Sequence, residues 1–363
     1  MGALSGMALS LPLWQTRTTY PHAPLFDFIP AFPQPFDALL FVAFAAAFGI
    51  LVWLPRLRLL GTLWLLAAVF LALQDQSRLQ PWFVEYVLLL TAVIFSKSEA
   101  MAFNGCRMVI AAIYFWSGLH KMNDTFFEKL FPWMVSSIST PTLAATLHFI
   151  GVIAPYMEVG FGLALLFPQT RRPGVLLSVC MHLLLLAMLG PWSLGWNNIV
   201  WPWNLAMIVL VPCLFWGSAA PASEILKPRE TWARHALFFF VIVLPPLSLI
   251  GLWDTYPSFA LYSGNPLIGS VVFTPDAWKR LDSQTRAVAE PLGDRYLLRL
   301  DDWSLVSMNV PAYPAERVLR RVARSFCAVH EIDGDALFIL EQPSRWLYRS
   351  GWQKIERPRE FCV

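Results

Sequence analysis

Residues 108–124 read MVIAAIYFWSGLHKMND, an apolar run of helix length that ends in His120, Lys121, Asn123 and Asp124. Two further ionisable residues, Glu158 and His182, lie inside stretches apolar enough to span a bilayer. An ionisable side chain at membrane depth costs several kcal/mol, roughly 2.5–3.5 on insertion scales, so its presence points to a function or to a partner. The stretch therefore decides the class, a polytopic membrane protein with a polar cluster, and poses the question of what the cluster does.

Composition agrees. Of the 363 residues, 57% are hydrophobic and 14% charged, against roughly 25% charged residues in an average soluble domain. The last 110 residues hold 14 of the 27 Lys+Arg and 14 of the 24 Asp+Glu. That asymmetry divides the chain into an N-terminal segment (1–36), a membrane domain (37–253) and a small soluble domain (254–363). A net charge of +3, dispersed along the chain, does not suggest nucleic acid as a partner.

Apolar runs fall at 37–54, 57–73, 82–95, 104–119, 142–167, 174–189, 198–216 and 235–252. They predict an all-α bundle of about eight spans, several of them shorter than the ~20 residues a straight span prefers. Alternating loops put Arg56/Arg58, Lys97/Arg107, Arg171/Arg172 and Lys227/Arg229/Arg234 on one side, which the positive-inside rule makes cytoplasmic. Loops 74–81, 120–141 and 190–197 and the C-terminal domain then face the other compartment. This describes an integral protein of a bacterial inner membrane with its C-terminal domain outside. Residues 1–36 lack a basic stretch ahead of MGALSGMALSLPLW and read as an interfacial segment rather than a cleaved signal.

Three loops deliver polar groups to the extracytoplasmic leaflet. Asp75 and Arg78, spaced i, i+3, are placed to pair on one helical face or to cap a turn before Pro81. His120, Lys121, Asn123 and Asp124 come from the next loop. The third contributes GPWSLGWNNIVWPWN (190–204), with Trp196, Asn197 and Asn198 at a helix junction of the kind that lines a cavity. Tryptophans at 82, 133, 192, 196, 201, 203 and 253 also fit an interfacial aromatic belt.

Lys121 has two readings. A lysine at a span end can snorkel to the headgroups. One facing the bundle interior can lose its proton and act as a general base. Glu158 and His182, on consecutive spans, lie roughly 12–14 Å from the cytoplasmic ends at 1.5 Å per residue. They are therefore expected to pair, as structural glue, as a proton route or as a ligand anchor; His148 is a weaker candidate for the cavity wall. No metal or nucleophile motif occurs in the chain, and no metal site is predicted. Cys106, Cys180 and Cys213 read as small apolar residues, whereas Cys327 and Cys362, in the domain assigned to an oxidising compartment, are expected to form a disulfide. That domain reads as α+β, with strand-like runs at 295–300 and 336–341 and an amphipathic helix at about 313–329.

The stretch IYFWSGLHKMND resembles the fourth-span signature of the HTTM domain, the membrane part shared with vitamin K-dependent γ-glutamyl carboxylase. In that family a Tyr-Phe-x-x-Gly-x-Lys-Lys-type segment is followed by an acidic residue. The similarity runs on through PYMEVGFGLALLF and the His182 span, about residues 75–220, and the E-x-G-x-G-x-x-L-L pattern also resembles DoxX/MauE-like redox-associated membrane proteins. The resemblance implies a quinone of menaquinone or phylloquinone type. Lys121 would be the base that deprotonates it, with His120 beside the lysine, and Asp75, Arg78, Asn123, Glu158, His182, Trp196, Asn197 and Asn198 would shape the site. His120 stands where the family has the first lysine. Two classes of function follow: a quinone- or isoprenoid-linked membrane enzyme with a peptide or protein substrate, and a non-catalytic membrane subunit or maturation factor for a periplasmic redox partner.

Overall fold

Inside hydrocarbon every backbone N–H and C=O must find a partner within the chain, so the apolar two-thirds of this sequence is confined to helices. The computed structural model describes residues 2–17, 19–140, 143–228, 231–330, 336–343 and 351–356. Two short helices, α1 (Gly2–Leu9) and α2 (Leu11–Trp14), precede α3 (Phe36–Trp53), α4 (Arg58–Gln74) and α5 (Pro81–Ile94). Then come α6 (Glu99–His120), α7 (Phe131–Val135), α8 (Ala144–Leu166), α9 (Arg171–Leu189) and α10 (Trp201–Phe215). After α11 (Ala222–Ile225), the stretch Trp232–Leu249 comprises α12 (Trp232–Phe238), a π-helical turn at Phe239–Val243 and α13 (Pro245–Leu249). The widened turn lies just ahead of Pro245 and Pro246, which have no N–H to continue the ladder.

Five helical stretches are long and apolar enough to cross a membrane: α3, Thr146–Leu166 of α8, α9, Asn198–Phe215 and Trp232–Leu249. The other three apolar runs form α4 and α5, of 17 and 14 residues, and α6, of 22 residues. The first two are short, and α6 interrupts its apolar surface with Glu99, Asn104, Arg107, Ser117 and His120. Eight runs thus yield five helices that qualify by length and composition among the described residues. Despite those polar groups α6 is central, with every residue of Met108–Tyr114 buried.

α6 and α8 approach closely enough to need glycine. A Cβ on Gly118 would lie 2.7 Å from the Pro155 carbonyl oxygen, and one on Gly162 would lie 2.7 Å from that of Ala111. Small residues at such seams let two backbones meet. At the opposite end of the bundle, two buried arginines, Arg171 and Arg234, and the half-buried Arg107 close helix ends. Arg171 donates to the carbonyls of Leu165, Leu166, Ser218 and Ala220, Arg107 to that of Leu214, and Arg234 to that of Ile225. Some of the basic residues that mark this side in sequence are therefore also ligands for the orphan carbonyls of helix C-termini.

Residues 2–17 pack against the bundle. α1 packs on α5 and α10, Gly6 lies against Trp82, and Leu13 and Trp14 are buried. Asp75 ties this segment down: it accepts from Arg17 at 2.5 Å, from the backbone of Ala23 at 3.3 Å and from that of Ser77 at 3.1 Å, with His22 at 3.3 Å. Burial pushes the Asp75 carboxyl up, but Arg17, His22 and Arg78 outweigh it and hold the group well below the usual carboxylate range. Arg78 does not pair with Asp75 as a surface i, i+3 couple; both are buried, and Arg78 donates to Gln74 and to the carbonyls of Leu13 and Leu71.

The C-terminal region folds as an antiparallel sheet with helices. Strands β1 (Ile268–Phe273), β2 (Ala289–Leu292), β3 (Arg295–Arg299), β4 (Leu337–Gln342) and β5 (Trp352–Glu356) pair in the order β2-β3-β1-β4-β5. Short α14 (Pro275–Arg280) and α15 (Ser283–Val288) bridge β1 to β2, while α16 (Leu300–Met308) and α17 (Glu316–Val329) pack on β1. This region docks on the loop after α4 and on the N-terminal segment: Gln80 donates to the Pro311 carbonyl at 3.1 Å, Arg317 to Gln76 at 2.7 Å and Arg321 to the Pro24 carbonyl at 3.0 Å.

Replacing Asp75 by alanine leaves Arg17 buried without its counter-charge, a change that costs about 3–5 kcal/mol. The variant should melt earlier in detergent and lose residues before Phe36 to limited proteolysis. The native contribution should persist down to about pH 4 and fade only as pH falls below the ordinary carboxylate range. Equal melting and protection in Asp75→Ala would contradict the tethering role.

Candidate functional site

Tyr114, Ser117 and Lys121 follow one another at i, i+3 and i+7 on α6 and its C-cap, so they share a helix face. Side chains on a helix lean toward its N-terminus, and Lys121 does so. Its ammonium folds back to donate to Ser117 Oγ at 2.6 Å and to the two carboxylate oxygens of Glu158 at 3.0 and 2.7 Å. Lys121 and Glu158 are 8% and 7% exposed. The amine thus points into the bundle and not out to the headgroups, and two charges that would be costly alone neutralise one another.

The expected pairing of Glu158 with His182 is not what forms. Glu158 belongs to the face of α8 that carries Pro155 and Gly162 and meets α6. His182 instead sits between α6 and α10. Asn204 donates its amide nitrogen to the Val200 carbonyl at 2.8 Å, so its oxygen accepts from His182 Nδ1 at 2.7 Å. That assignment puts a proton on His182 Nδ1, and in the neutral ring Nε2 accepts the Tyr114 hydroxyl, also at 2.7 Å. Trp203 stands edge-on to the His182 ring, centroids 5.8 Å apart, and donates its indole N–H to Glu85 of α5 at 2.5 Å. A polar chain therefore joins α5, α10, α9 and α6, and α6 links it to the ion pair on α8.

Above this chain lies a cavity of about 1200 Å³ between the bundle and the C-terminal region. Its bundle side carries Trp82, Trp133, Trp196, Asn197, Trp203 and Tyr262, and its other side Arg299, Asp301, Asp302, Glu341 and Trp352. The lining is mixed on both sides: Lys129 joins the tryptophans on the bundle side, and Ile268, Leu297, Leu319 and Ile339 join the charged residues on the other. Burial pushes the Asp301 carboxyl up to about 6, although it accepts the Ala312 N–H, so its charge changes not far below neutral pH. Trp203 belongs both to the cavity wall and to the buried chain.

The remaining residues singled out in the sequence hold the frame. His120 bonds Ser248 at 3.1 Å, joining α6 to α13. Asn123 donates to the carbonyls of His120 and Ser263 and accepts the Phe126 N–H, which fixes the loop behind the cavity. Trp196 packs on Trp133 and Tyr262. Asn197 takes a left-handed backbone (φ 50°), and Asn198 accepts from Asn309 at 2.7 Å. Lys121, His120, Glu158, His182, Asp75 and Arg78 do not line the cavity. Cys327 is disulfide-bonded; Cys362, named as its partner from sequence, lies outside the described residues, and Cys106, Cys180 and Cys213 are free. Among the described residues no group of three or more His, Cys, Asp or Glu could hold a metal ion.

Sequence reasoning missed Tyr114, Ser117, Asn204 and Glu85. Ser117 and Tyr114 stand one and two turns before Lys121 in the opening stretch, and Glu85 interrupts the run 82–95 as Glu158 interrupts its own. No family model, curated protein or solved structure matches the chain.

Tyr114→Phe removes the donor to His182 and should cost about 1–3 kcal/mol, read as a lower unfolding midpoint in detergent. It should also shift the imidazole 15N signals of His182. Unchanged signals would contradict the bond and the tautomer.

Proposed function

We propose that this integral membrane protein takes the ring of a lipid-soluble amphiphile, of the quinone or isoprenoid class, into its tryptophan-lined cavity, and that the polar groups behind the cavity handle protons. The observation that carries the reading is the double membership of Trp203, in the cavity wall and in contact with His182 and Glu85. At about 1200 Å³ the cavity exceeds the roughly 300–1,000 Å³ of most small-molecule pockets, leaving room for a ring and part of a chain. Stacked or edge-on indoles suit a flat ring, and the charged residues of the lining, Arg299, Asp302 and Glu341 among them, suit a polar headgroup or a peptide substrate. Lys121 is the candidate base. To accept a proton it must first pass its own to Glu158, its hydrogen-bonded neighbour.

The orientation proposed from loop charge has support in the packing. Loop 74–81, the Asn123 loop and the Asn198 junction each bond to the C-terminal region or its linker, through Gln80–Pro311, Asn123–Ser263 and Asn198–Asn309. They share one face, and the helix-capping arginines lie at the other. The positive-inside rule makes the first face extracytoplasmic.

One observation favours the non-catalytic reading. The three contacts of the Lys121 ammonium match its three protons, and the group does not line the cavity. On that reading the ion pair staples α6 to α8, and the C-terminal region receives a periplasmic protein.

Titration of the detergent-solubilised protein with a naphthoquinone, followed by quenching of tryptophan fluorescence, tests the first reading. Quenching should saturate, the Trp196→Ala/Trp203→Ala double variant should bind at least about tenfold more weakly, a loss of ~1.4 kcal/mol, and Lys121→Met should still bind. Quenching that never saturates would sink the ligand class and favour the staple.

A further inference from the structure

Two carboxylates lie buried in the helical bundle at the polar chain, and only one has a cation. Glu158 has Lys121. Glu85, one turn into α5 and 1% exposed, has only the indole N–H of Trp203 on Oε2, and its Oε1 has no hydrogen-bond partner among the described residues. A carboxylate in such a place is too costly to keep ionised, and the group neutralises by holding a proton. A metal ion does not fit, because hard cations need several oxygen ligands and the contact Glu85 makes is a donor.

The surroundings say where that proton can go. α1, packed against α5, brings no ionisable side chain. From α6 comes Tyr114, within electrostatic range of both Glu85 and Glu158, and His182 of α9 lies behind Trp203. Tyr86, adjacent in α5, is within range of Glu85 as well. On the other side, Trp203 lines the cavity.

We propose that Glu85 is a proton-binding site, a neutral carboxylic acid at rest, set behind Trp203 to exchange one proton with an oxygen acceptor in the cavity. In the exchange one O–H bond breaks at Glu85 and one forms on the acceptor, water or a ligand hydroxyl; the carboxylate left behind keeps the Trp203 N–H. The assignment deepens the proton-handling part of the proposed function, but it does not need the cavity's ligand to be a quinone.

Infrared spectroscopy of the full-length protein in detergent, without added ligand, decides it. At neutral pH the wild type should show the C=O stretch of a protonated carboxylic acid, shifted by D2O and by 13C-glutamate labelling. Glu85→Gln, which keeps an oxygen for Trp203, should lose the band, and Glu158→Gln should retain it. A wild-type protein with no glutamate-derived band at neutral pH overturns the proposal even if the variant fails to fold. So does a band that survives in a folded Glu85→Gln. Failure of naphthoquinone binding with the band intact would remove the ligand class and leave this site standing.

Discussion

The pairing of Lys121 with Glu158 is the interaction on which the bundle depends. Lys121 lies about 14 residues along α6 from Arg107, which caps α10. That is roughly 21 Å at 1.5 Å per residue, inside a hydrocarbon core about 30 Å thick. Neither charge could sit there alone. Their attraction is exercised where α6 and α8 are already forced together, at the seam of Gly118 and Gly162, so electrostatics and backbone contact specify the same register. Tyr114, two turns earlier on the face that carries Lys121, reaches His182 and, through it, α10.

The two ends of the chain complete what the bundle begins. α1 packs against α5 and α10, α2 against α3 and, through Trp14 and Phe83, α5, held by the charge network around Asp75, and the C-terminal region rests on the same loop through Gln76 and Gln80. The cavity forms between these layers, lined by tryptophans from the bundle and by charged and aliphatic residues from the C-terminal region. Tryptophans that also fit an interfacial belt line this cavity. Trp203 makes the connection, since the indole facing the cavity also reaches the buried polar groups.

Much of this was legible in the sequence, and the rest fails for identifiable reasons. Depth along a helix is a count of residues, so Glu158 and His182 were correctly placed within long apolar helices; azimuth is set by packing, so their partners were not. The runs at 295–300 and 336–341 became β3 and β4, and the amphipathic helix became α17, because periodicity survives where one face meets a core. β1 was missed: five of its six residues are buried, so its pattern shows no alternation. Asp75 caps the turn before Pro81, one of the two roles its spacing allowed, but it and Arg78 are not a surface couple, because residues 2–17, which help to bury them, carry no signal for the site where they dock. Glu85 obeyed the same rule as Glu158 and escaped notice because its run was the shortest.

The most direct test of the account is a double-mutant cycle on Lys121→Met and Glu158→Met, with stability measured in one detergent. Each single change strands a buried charge and should cost about 3–5 kcal/mol. The double variant should recover much of that loss, giving a coupling energy well above the few tenths expected of independent sites. Additive losses would mean that the two charges do not see each other, and the seam, the polar chain and the site built on it would have to be abandoned together.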